Sequence, residues 1–199
     1  MKTNPSKTYE NHSSQPNINF CEAVVRRSGE NFRRCFHCQS CGSGCPVSQA
    51  MTYRPNGVIR LIQFGLKSEA LECSDIWLCM GCHTCSTACP MAIDIAAVMS
   101  ALREMAIDEG VRIAEPGIYN FHQEVLNSIH RYGRTHKLEI MMRYKLRQRD
   151  FFSDMDMGLK MLAKRKLDLR PSKIINRTQI RKLFLAKDQM AQGKNDAAG

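Results

Sequence analysis

The sequence lacks three features that would point to common function classes. It contains no apolar run of about 18 residues or more, the length that a membrane-spanning helix needs. It contains neither a G-x-G-x-x-G pattern nor a P-loop pattern, so no nucleotide-binding site is predicted. Almost no segment alternates apolar and polar residues, as half-buried strands do. The sequence therefore argues against a membrane-spanning protein, a nucleotide-dependent enzyme and a sheet-based fold.

The beginning of the sequence also lacks the apolar stretch of a secretory signal peptide. Residues 1–18 are instead rich in Asn, Ser, Lys and Pro, and we expect them to form a disordered arm. Without a signal peptide, the ten cysteines indicate a reducing cytoplasm rather than a set of disulfide bonds. We expect a cytoplasmic protein that reaches the inner face of the membrane only through a partner.

Positive charge is concentrated in the last third of the chain. Residues 1–130 contain 11 Lys and Arg against 12 Asp and Glu, whereas residues 131–199 contain 18 against 7. A basic extension suits an acidic protein, an anionic membrane surface or a nucleic acid. Because no zinc-finger helix or stacking aromatic pattern accompanies it, nucleic-acid binding is not predicted. We expect the extension to dock onto a partner subunit, with a solvated tail and a membrane contact as alternatives.

The chain does contain one cysteine pattern twice. Each copy reads C-x2-C-x2-C-x3-C-P, and the segment from Phe32 to Ala50 aligns without gaps with that from Ile76 to Asp94. The cysteines are Cys35, Cys38, Cys41 and Cys45 in the first run, and Cys79, Cys82, Cys85 and Cys89 in the second. This spacing is typical of ferredoxins that hold [4Fe–4S] clusters, so the sequence predicts two such clusters and one-electron transfer.

The pattern also predicts which cysteines share a cluster. One short loop can wrap three corners of a cube, and the fourth cysteine of each run ligates the other cluster in two-cluster ferredoxins. Pro46 and Pro90 keep the preceding cysteines out of a helix, so that each fourth cysteine can turn away from its own loop. The predicted ligands are Cys35, Cys38, Cys41 and Cys89 for cluster 1, and Cys79, Cys82, Cys85 and Cys45 for cluster 2.

Zinc is the main competing interpretation of the cysteines. Zinc sites usually present two pairs of ligands separated by a long loop, which differs from the crowded runs seen here. The remaining Cys21 and Cys73 are expected to be small buried hydrophobic residues. His37 and His83, at non-ligand positions inside the runs, either raise the cluster potentials or are ordinary loop histidines. Trp77, the only tryptophan, is expected to be buried.

Helical patterns surround and follow the runs. We expect helices from Phe20 to Phe32, from Pro55 to about Gly65, from the N-cap Asp94 to Gly110, and from Pro116 to Gly133. Apolar stripes are expected at Ile95, Val98, Met99, Leu102 and Ala106, and at Ile118, Phe121, Val125, Ile129 and Tyr132. Further short helices are expected at 137–148, 156–165 and 177–190. The predicted fold is mainly α, with an α-helical ferredoxin-like domain at 19–112 and a helical, basic C-terminal extension at 113–199.

The sequence resembles the HdrC family, the C subunits of heterodisulfide reductases. The residues that carry the resemblance are the first cysteine run with Pro46, the segment Thr52-Tyr53-Arg54-Pro55-Asn56 with its helix, and the segment Asp75-Ile76-Trp77-Leu78-Cys79-Met80-Gly81-Cys82. It continues through Cys85, Cys89, Pro90 and the helix after Asp94. The resemblance covers roughly residues 20–130.

The resemblance implies an electron-transfer subunit of an oxidoreductase complex that acts on sulfur groups. Members of the HdrC family bridge a flavin- and cluster-bearing HdrA-like subunit and a catalytic HdrB-like subunit that reduces a disulfide. For this chain the resemblance implies two [4Fe–4S] clusters on the eight cysteines, no catalytic residue and no substrate site of its own. Two alternatives stay open: an iron–sulfur subunit of a membrane-bound, quinone-linked respiratory complex, and a zinc-dependent nucleic-acid-binding adaptor.

Overall fold

The computed structural model describes residues 17–148, together with Gln179 and Lys182. Within these residues the chain forms α-helices, one short 3-10 turn and loops, and no β-strand. The mainly α fold class is therefore confirmed. The predicted N-terminal arm, apart from its last two residues, lies outside the described residues, as do the helices expected at 156–165 and 177–190, apart from the two single residues named above.

The helices of the described part are α1 (Ile18–Ser28), α2 (Ser40–Ser43), α3 (Pro55–Gln63), α4 (Lys67–Glu72), α5 (Asp75–Leu78), α6 (Thr84–Thr87), α7 (Ile95–Asp108), α8 (Pro116–Tyr132) and α9 (Lys137–Gln148), with the 3-10 turn at Phe32–Arg34. The longest of them are α7 and α8. The chain divides after Glu115 into two units, the first with α1 to α7 and the second with α8 and α9. Among the described residues, no helix has both the length and the apolar character needed to cross a membrane.

Most helix ends coincide with start and stop signals in the sequence. Pro55 opens α3, and the carboxylate of Asp94 caps α7 by accepting the backbone N–H of Ala97 at 3.2 Å. Helix α1, however, ends at Ser28 and not at Phe32, so that prediction was wrong. The reason is Gly29, whose φ of 72° turns the chain out of the helix in a conformation that favours glycine.

Helix α7 is the centre of the first unit. It packs against α1, α4, α5 and α6, while α3 packs against α1, α2, α4 and α5. The predicted apolar stripe of α7 is buried throughout, and so is the inner side of α3 (Val58, Ile59, Leu61 and Ile62). Burying one such aliphatic side chain stabilises the fold by about 1.5–3 kcal/mol. The two cysteine runs are loops attached to this apolar core.

Asp75 fastens the start of the second cysteine run to the loop that follows the first. Its carboxylate is fully buried, at 0% exposure, and accepts hydrogen bonds from the backbone N–H groups of Thr52 at 2.7 Å and Tyr53 at 3.0 Å. A buried charge stabilises a structure only where hydrogen bonds replace its lost hydration. The paired Asp75 therefore holds α5 in one position relative to the loop before α3.

In the second unit, α8 buries polar residues against α9. Glu124 and Ser128 are buried, whereas the apolar stripe predicted between 118 and 132 is half-buried or exposed at every position. The Glu124 carboxylate pairs with Arg147 at 3.3 Å, and the Ser128 hydroxyl accepts the backbone N–H of His136 at 2.9 Å. The predicted stripe lies on a helix, as expected, but the buried positions of α8 are these two polar residues, whose partners lie on α9 and in the loop before it.

Candidate metal centre

The two cysteine runs fold as two copies of one structural unit. Helices α2 and α6 begin at aligned positions, each after a residue with positive φ: Gln39 at 64° and His83 at 58°. Two positions earlier φ is again positive, at His37 (64°) and at Gly81 (63°). Residues other than glycine rarely adopt this backbone conformation, so its recurrence at aligned positions reflects a common loop shape. The repeat in the sequence is therefore also a repeat in the structure.

Each run contributes three cysteines to one cavity and its fourth cysteine to the other. Cavity 1 is lined by Cys35, Cys38, Cys41 and Cys89, and cavity 2 by Cys79, Cys82, Cys85 and Cys45. Their volumes, counted with the openings to solvent, are about 380 and 370 Å³. Residues of α3 and α7 complete both linings. The grouping coincides with the two ligand sets expected from the sequence, although the ligation itself stays a prediction.

The cysteines of each cavity differ in exposure. Cys38 and Cys82 are exposed, whereas Cys41 and Cys85 are each 7% exposed. Burial, together with the charge on neighbouring sulfurs, that of Cys85 included, raises the pKa of the Cys41 thiol to about 11. Hydrogen bonds from the hydroxyl residue two positions later lower the pKa of the Cys38 and Cys82 thiols. Each cavity therefore combines a buried cysteine with an exposed one.

The donor set fits a polynuclear iron–sulfur cluster. Thiolates are the ligands of such clusters, and four sulfur atoms surround each cavity. Within the described residues, no three histidine, cysteine or carboxylate side chains converge closely enough to hold a single metal ion. A zinc ion needs four ligands at about 2.0–2.3 Å from one point, so the arrangement is less compatible with the zinc interpretation.

Cavity 1 contains two buried polar atoms that have no hydrogen-bond partner in the described part of the protein. They are His37 Nε2 and Asn56 Oδ1, on residues that line this cavity. Buried polar atoms are nearly always paired, so these two mark a place for a group outside the polypeptide. Cavity 2 differs, because Gly81 stands at the position of His37, and the exposed His83 lies 3.3 Å from a carboxylate oxygen of Asp94. The polar lining of the two cavities is therefore unequal.

Arg103 of α7 ties cavity 2 to the helical core. Its guanidinium donates hydrogen bonds to the carbonyl oxygens of Ile76 and Cys79. Burial lowers the pKa of Arg103, whereas the Cys79 sulfur raises it, and an arginine stays charged at physiological pH. A positive charge therefore lies beside a predicted cluster ligand. Sequence reasoning missed this residue, for which the only signal is a charge within the apolar α7.

The cysteines outside the runs are not among the residues that line the cavities. Cys21 and Cys73 are both half-buried, so the expectation that they are buried was wrong. The Cys73 thiol donates to the carbonyl oxygen of Ala70 at 3.4 Å, and burial raises its pKa to about 11, which keeps it protonated. Trp77 is buried, as expected, and also lies outside the lining of cavity 2.

Comparisons with known proteins find relatives of this cysteine-rich region. Residues 31–93 match the family described as a 4Fe-4S dicluster domain. The iron–sulfur C subunit of the CoB–CoM heterodisulfide reductase of Methanopyrus kandleri is 32% identical over 76 residues, which are 38% of this chain and 40% of the relative. The corresponding C 2 subunit from Methanocaldococcus jannaschii is 32% identical over 102 residues, 47% of this chain and 54% of the relative.

A third relative is the C2 subunit of the H2/formate:CoB–CoM heterodisulfide,ferredoxin reductase of Methanococcus maripaludis. It is 31% identical over 86 residues, which are 43% of this chain and 46% of the relative. The chain spans about half the length of the curated relatives it matches. The part of the chain that carries both cysteine runs thus matches a 4Fe-4S dicluster domain, and the predicted resemblance to the C subunits of heterodisulfide reductases is confirmed.

Proposed function

We propose that this chain is the electron-transfer subunit of a heterodisulfide-reductase-like complex. It would relay single electrons through two [4Fe–4S] clusters, between a flavin- and cluster-bearing subunit and a catalytic subunit that handles disulfides or thiols. The observation that carries the proposal is the pair of four-cysteine cavities, one with Cys89 and the other with Cys45 contributed by the opposite run. A cluster of this type supplies reversible one-electron chemistry.

The exposure of the cysteines suits a relay. Each cavity has an exposed cysteine (Cys38 or Cys82) and a buried one (Cys41 or Cys85). A partner can approach the exposed cysteine of either cavity, while the protein keeps water away from the buried one. The first turns of α3 and α7 border both cavities, and the positive ends of these helix dipoles favour the negative charge of thiolate-bound clusters.

In this proposal the chain has no substrate site, and the substrate belongs to the catalytic partner. The names of the three relatives described above include the CoB–CoM heterodisulfide, which makes a disulfide of this class the first candidate. The same names do not favour the alternative of a quinone-linked respiratory subunit.

The first test is the metal content of the anaerobically purified protein and the identity of what purifies with it. We expect roughly eight iron and eight sulfide per chain, as two cubanes require. We also expect a flavin-bearing subunit and a disulfide-reductase-like subunit to co-purify. About four iron per chain would contradict the proposal of two clusters, and stoichiometric zinc would contradict iron–sulfur as the cofactor. An integral membrane cytochrome as the main partner would contradict the proposed heterodisulfide-reductase-like complex.

His37 is proposed to raise the potential of the cluster in cavity 1. Its Nε2 is buried and unpartnered on a residue that lines the cavity. We propose that it donates a hydrogen bond to the cluster there, because such bonds favour the reduced, more negative cluster. A hydrogen bond worth about 1 kcal/mol corresponds to ~40 mV for a one-electron couple. We expect His37→Ala to lower one of the two midpoint potentials by roughly that amount in a redox titration followed by EPR.

His83→Ala is the matched control for this measurement. His83 is exposed, lines cavity 2 and lies 3.3 Å from Asp94, so its removal is expected to leave unchanged the midpoint potential that His37→Ala lowers. Equal shifts in the two variants, or no shift in His37→Ala, would make His37 an ordinary loop histidine.

A further inference from the structure

The two cavities open onto surfaces of different chemistry. The residue after the first cysteine of each run is strongly exposed: Phe36, at 61%, beside cavity 1, and Met80, at 70%, beside cavity 2. Met51 and Met99 also line cavity 2, so its surroundings are apolar and adaptable. Exposed large apolar side chains next to a functional site commonly mark a binding surface.

A second exposed aromatic residue lies on the side of cavity 1. Phe64, at 55% exposure, follows α3, whose last residue Gln63 donates to the carbonyl oxygen of Phe32 at 3.3 Å. The Arg60 guanidinium lies 4.9 Å from the centre of the Phe64 ring. Arg60 also follows Ile59, which lines cavity 1. Phe64 and Arg60 therefore belong to the surroundings of cavity 1.

Three exposed arginines neighbour residues that line this cavity, although none of the three lines it: Arg34, Arg54 and Arg60. Arg34 donates to the carbonyl oxygen of Ala92 at 3.1 Å, in the loop that follows Cys89. Arg54 packs on the short helix α2, where a Cβ built on Gly42 would lie 3.3 Å from the Arg54 side chain. No carboxylate among the described residues pairs with any of the three arginines. Their positive charge is therefore available to a partner.

We propose that Phe36, Phe64, Arg34, Arg54 and Arg60 form a docking surface, here called the basic surface, for an acidic redox protein. The inference rests on the proposed function and adds the chemistry of one partner and the side on which it binds. An apolar centre within a charged rim is the usual composition of a protein interface, and complementary charge speeds association and rejects wrong partners. In the exchange, one electron leaves the metal centre of the partner and reduces the cluster in cavity 1, and no bond forms or breaks.

The test measures binding of an acidic plant-type [2Fe–2S] ferredoxin to the intact, cluster-loaded chain. We expect Arg54→Gln/Arg60→Gln to raise the dissociation constant about tenfold at low salt, and we expect about 0.5 M salt to abolish the difference. The control is Arg26→Gln/Arg112→Gln, which removes the same charge from exposed positions. Arg112 follows the end of α7 that is remote from the cavities, and Arg26 neighbours Arg27, which pairs with Glu104 and Asp108 near that end. The control is expected to bind as the wild type does.

Each alternative outcome has a distinct meaning. If both double variants bound the ferredoxin equally weakly, net charge alone would explain the effect, and the basic surface would be overturned. No weakening in Arg54→Gln/Arg60→Gln, or arginine-dependent binding to phosphatidylserine vesicles instead of the ferredoxin, would overturn it as well. If the double variant loses its clusters, Arg60→Gln alone replaces it. The Arg60 guanidinium donates a hydrogen bond to Gln63 at 3.3 Å and contacts the Phe64 ring, and both partners lie within four residues of it. Clusters that cannot be cycled by dithionite would overturn the proposed function, whereas clusters that cycle in a chain that does not bind the ferredoxin would overturn only the docking surface.

Discussion

Replacing Cys45 by serine is expected to remove the cluster of cavity 2 and to leave that of cavity 1. Cys45 belongs to the first run in sequence, but it lines the cavity formed by the second run. A serine hydroxyl is a poor substitute for a thiolate ligand, so the iron content should fall from about eight to about four per chain. The remaining EPR signal and midpoint potential should equal those of Cys82→Ser, which removes an undisputed ligand of the second run.

Cys89→Ser provides the reciprocal experiment. It should leave the signal that Cys38→Ser leaves, because both cysteines line cavity 1. The comparison does not require either spectrum to be assigned to a particular cluster. It requires only that the two variants of one cavity give the same spectrum. If Cys45→Ser instead resembled Cys38→Ser, each run would hold its own cluster and the crossed assignment would be wrong.

Replacing Asp75 by alanine is expected to destabilise the first unit by roughly 3–5 kcal/mol. The substitution removes a buried carboxylate that accepts two backbone hydrogen bonds, each worth about 1.5–3 kcal/mol when one partner is charged. That loss is a large fraction of the usual stability of about 5–15 kcal/mol. Anaerobic thermal unfolding followed by circular dichroism should show a midpoint lowered by about 10 °C or more, with earlier loss of the cluster absorbance.

The matched control for this prediction is Asp108→Ala. Asp108 also carries a carboxylate in an ion pair, with Arg27 at 2.5 Å, but it is exposed at the surface of α7. Exposed ion pairs contribute about 0–1 kcal/mol, so the midpoint should change little. Similar thermal midpoints for the two variants would show that the buried Asp75 contributes no more to stability than the exposed Asp108.

The parts of this structure that could be predicted from the sequence depend on local signals. Pro55 and Asp94 start their helices where the sequence predicts, because a first-turn proline and an N-cap carboxylate act within a few residues. The two cysteine runs are equally local, since three cysteines within each run lie on one loop. Gly29 is a local signal as well, because a C-cap glycine ends the helix within one residue.

The parts that could not be predicted depend on partners distant in the sequence. Asp75 and Arg103 bind backbone groups more than twenty positions away, and backbone groups have no signature in the sequence. The buried side of α8 was missed for the same reason. Glu124 and Ser128 look like solvent-facing residues until Arg147 and His136 supply their partners.

The repeated loop has a consequence for how such a protein could arise. A single copy of the motif lines its own cavity with three cysteines and sends the fourth into its neighbour, so one copy alone would have an incomplete ligand set. Two identical copies related by a twofold axis would complete each other, as in a symmetric dimer. The present chain holds both copies in one polypeptide. The two halves can therefore differ, as they do at His37 and Gly81 and at Phe36 and Met80, whereas the halves of a symmetric dimer would be identical.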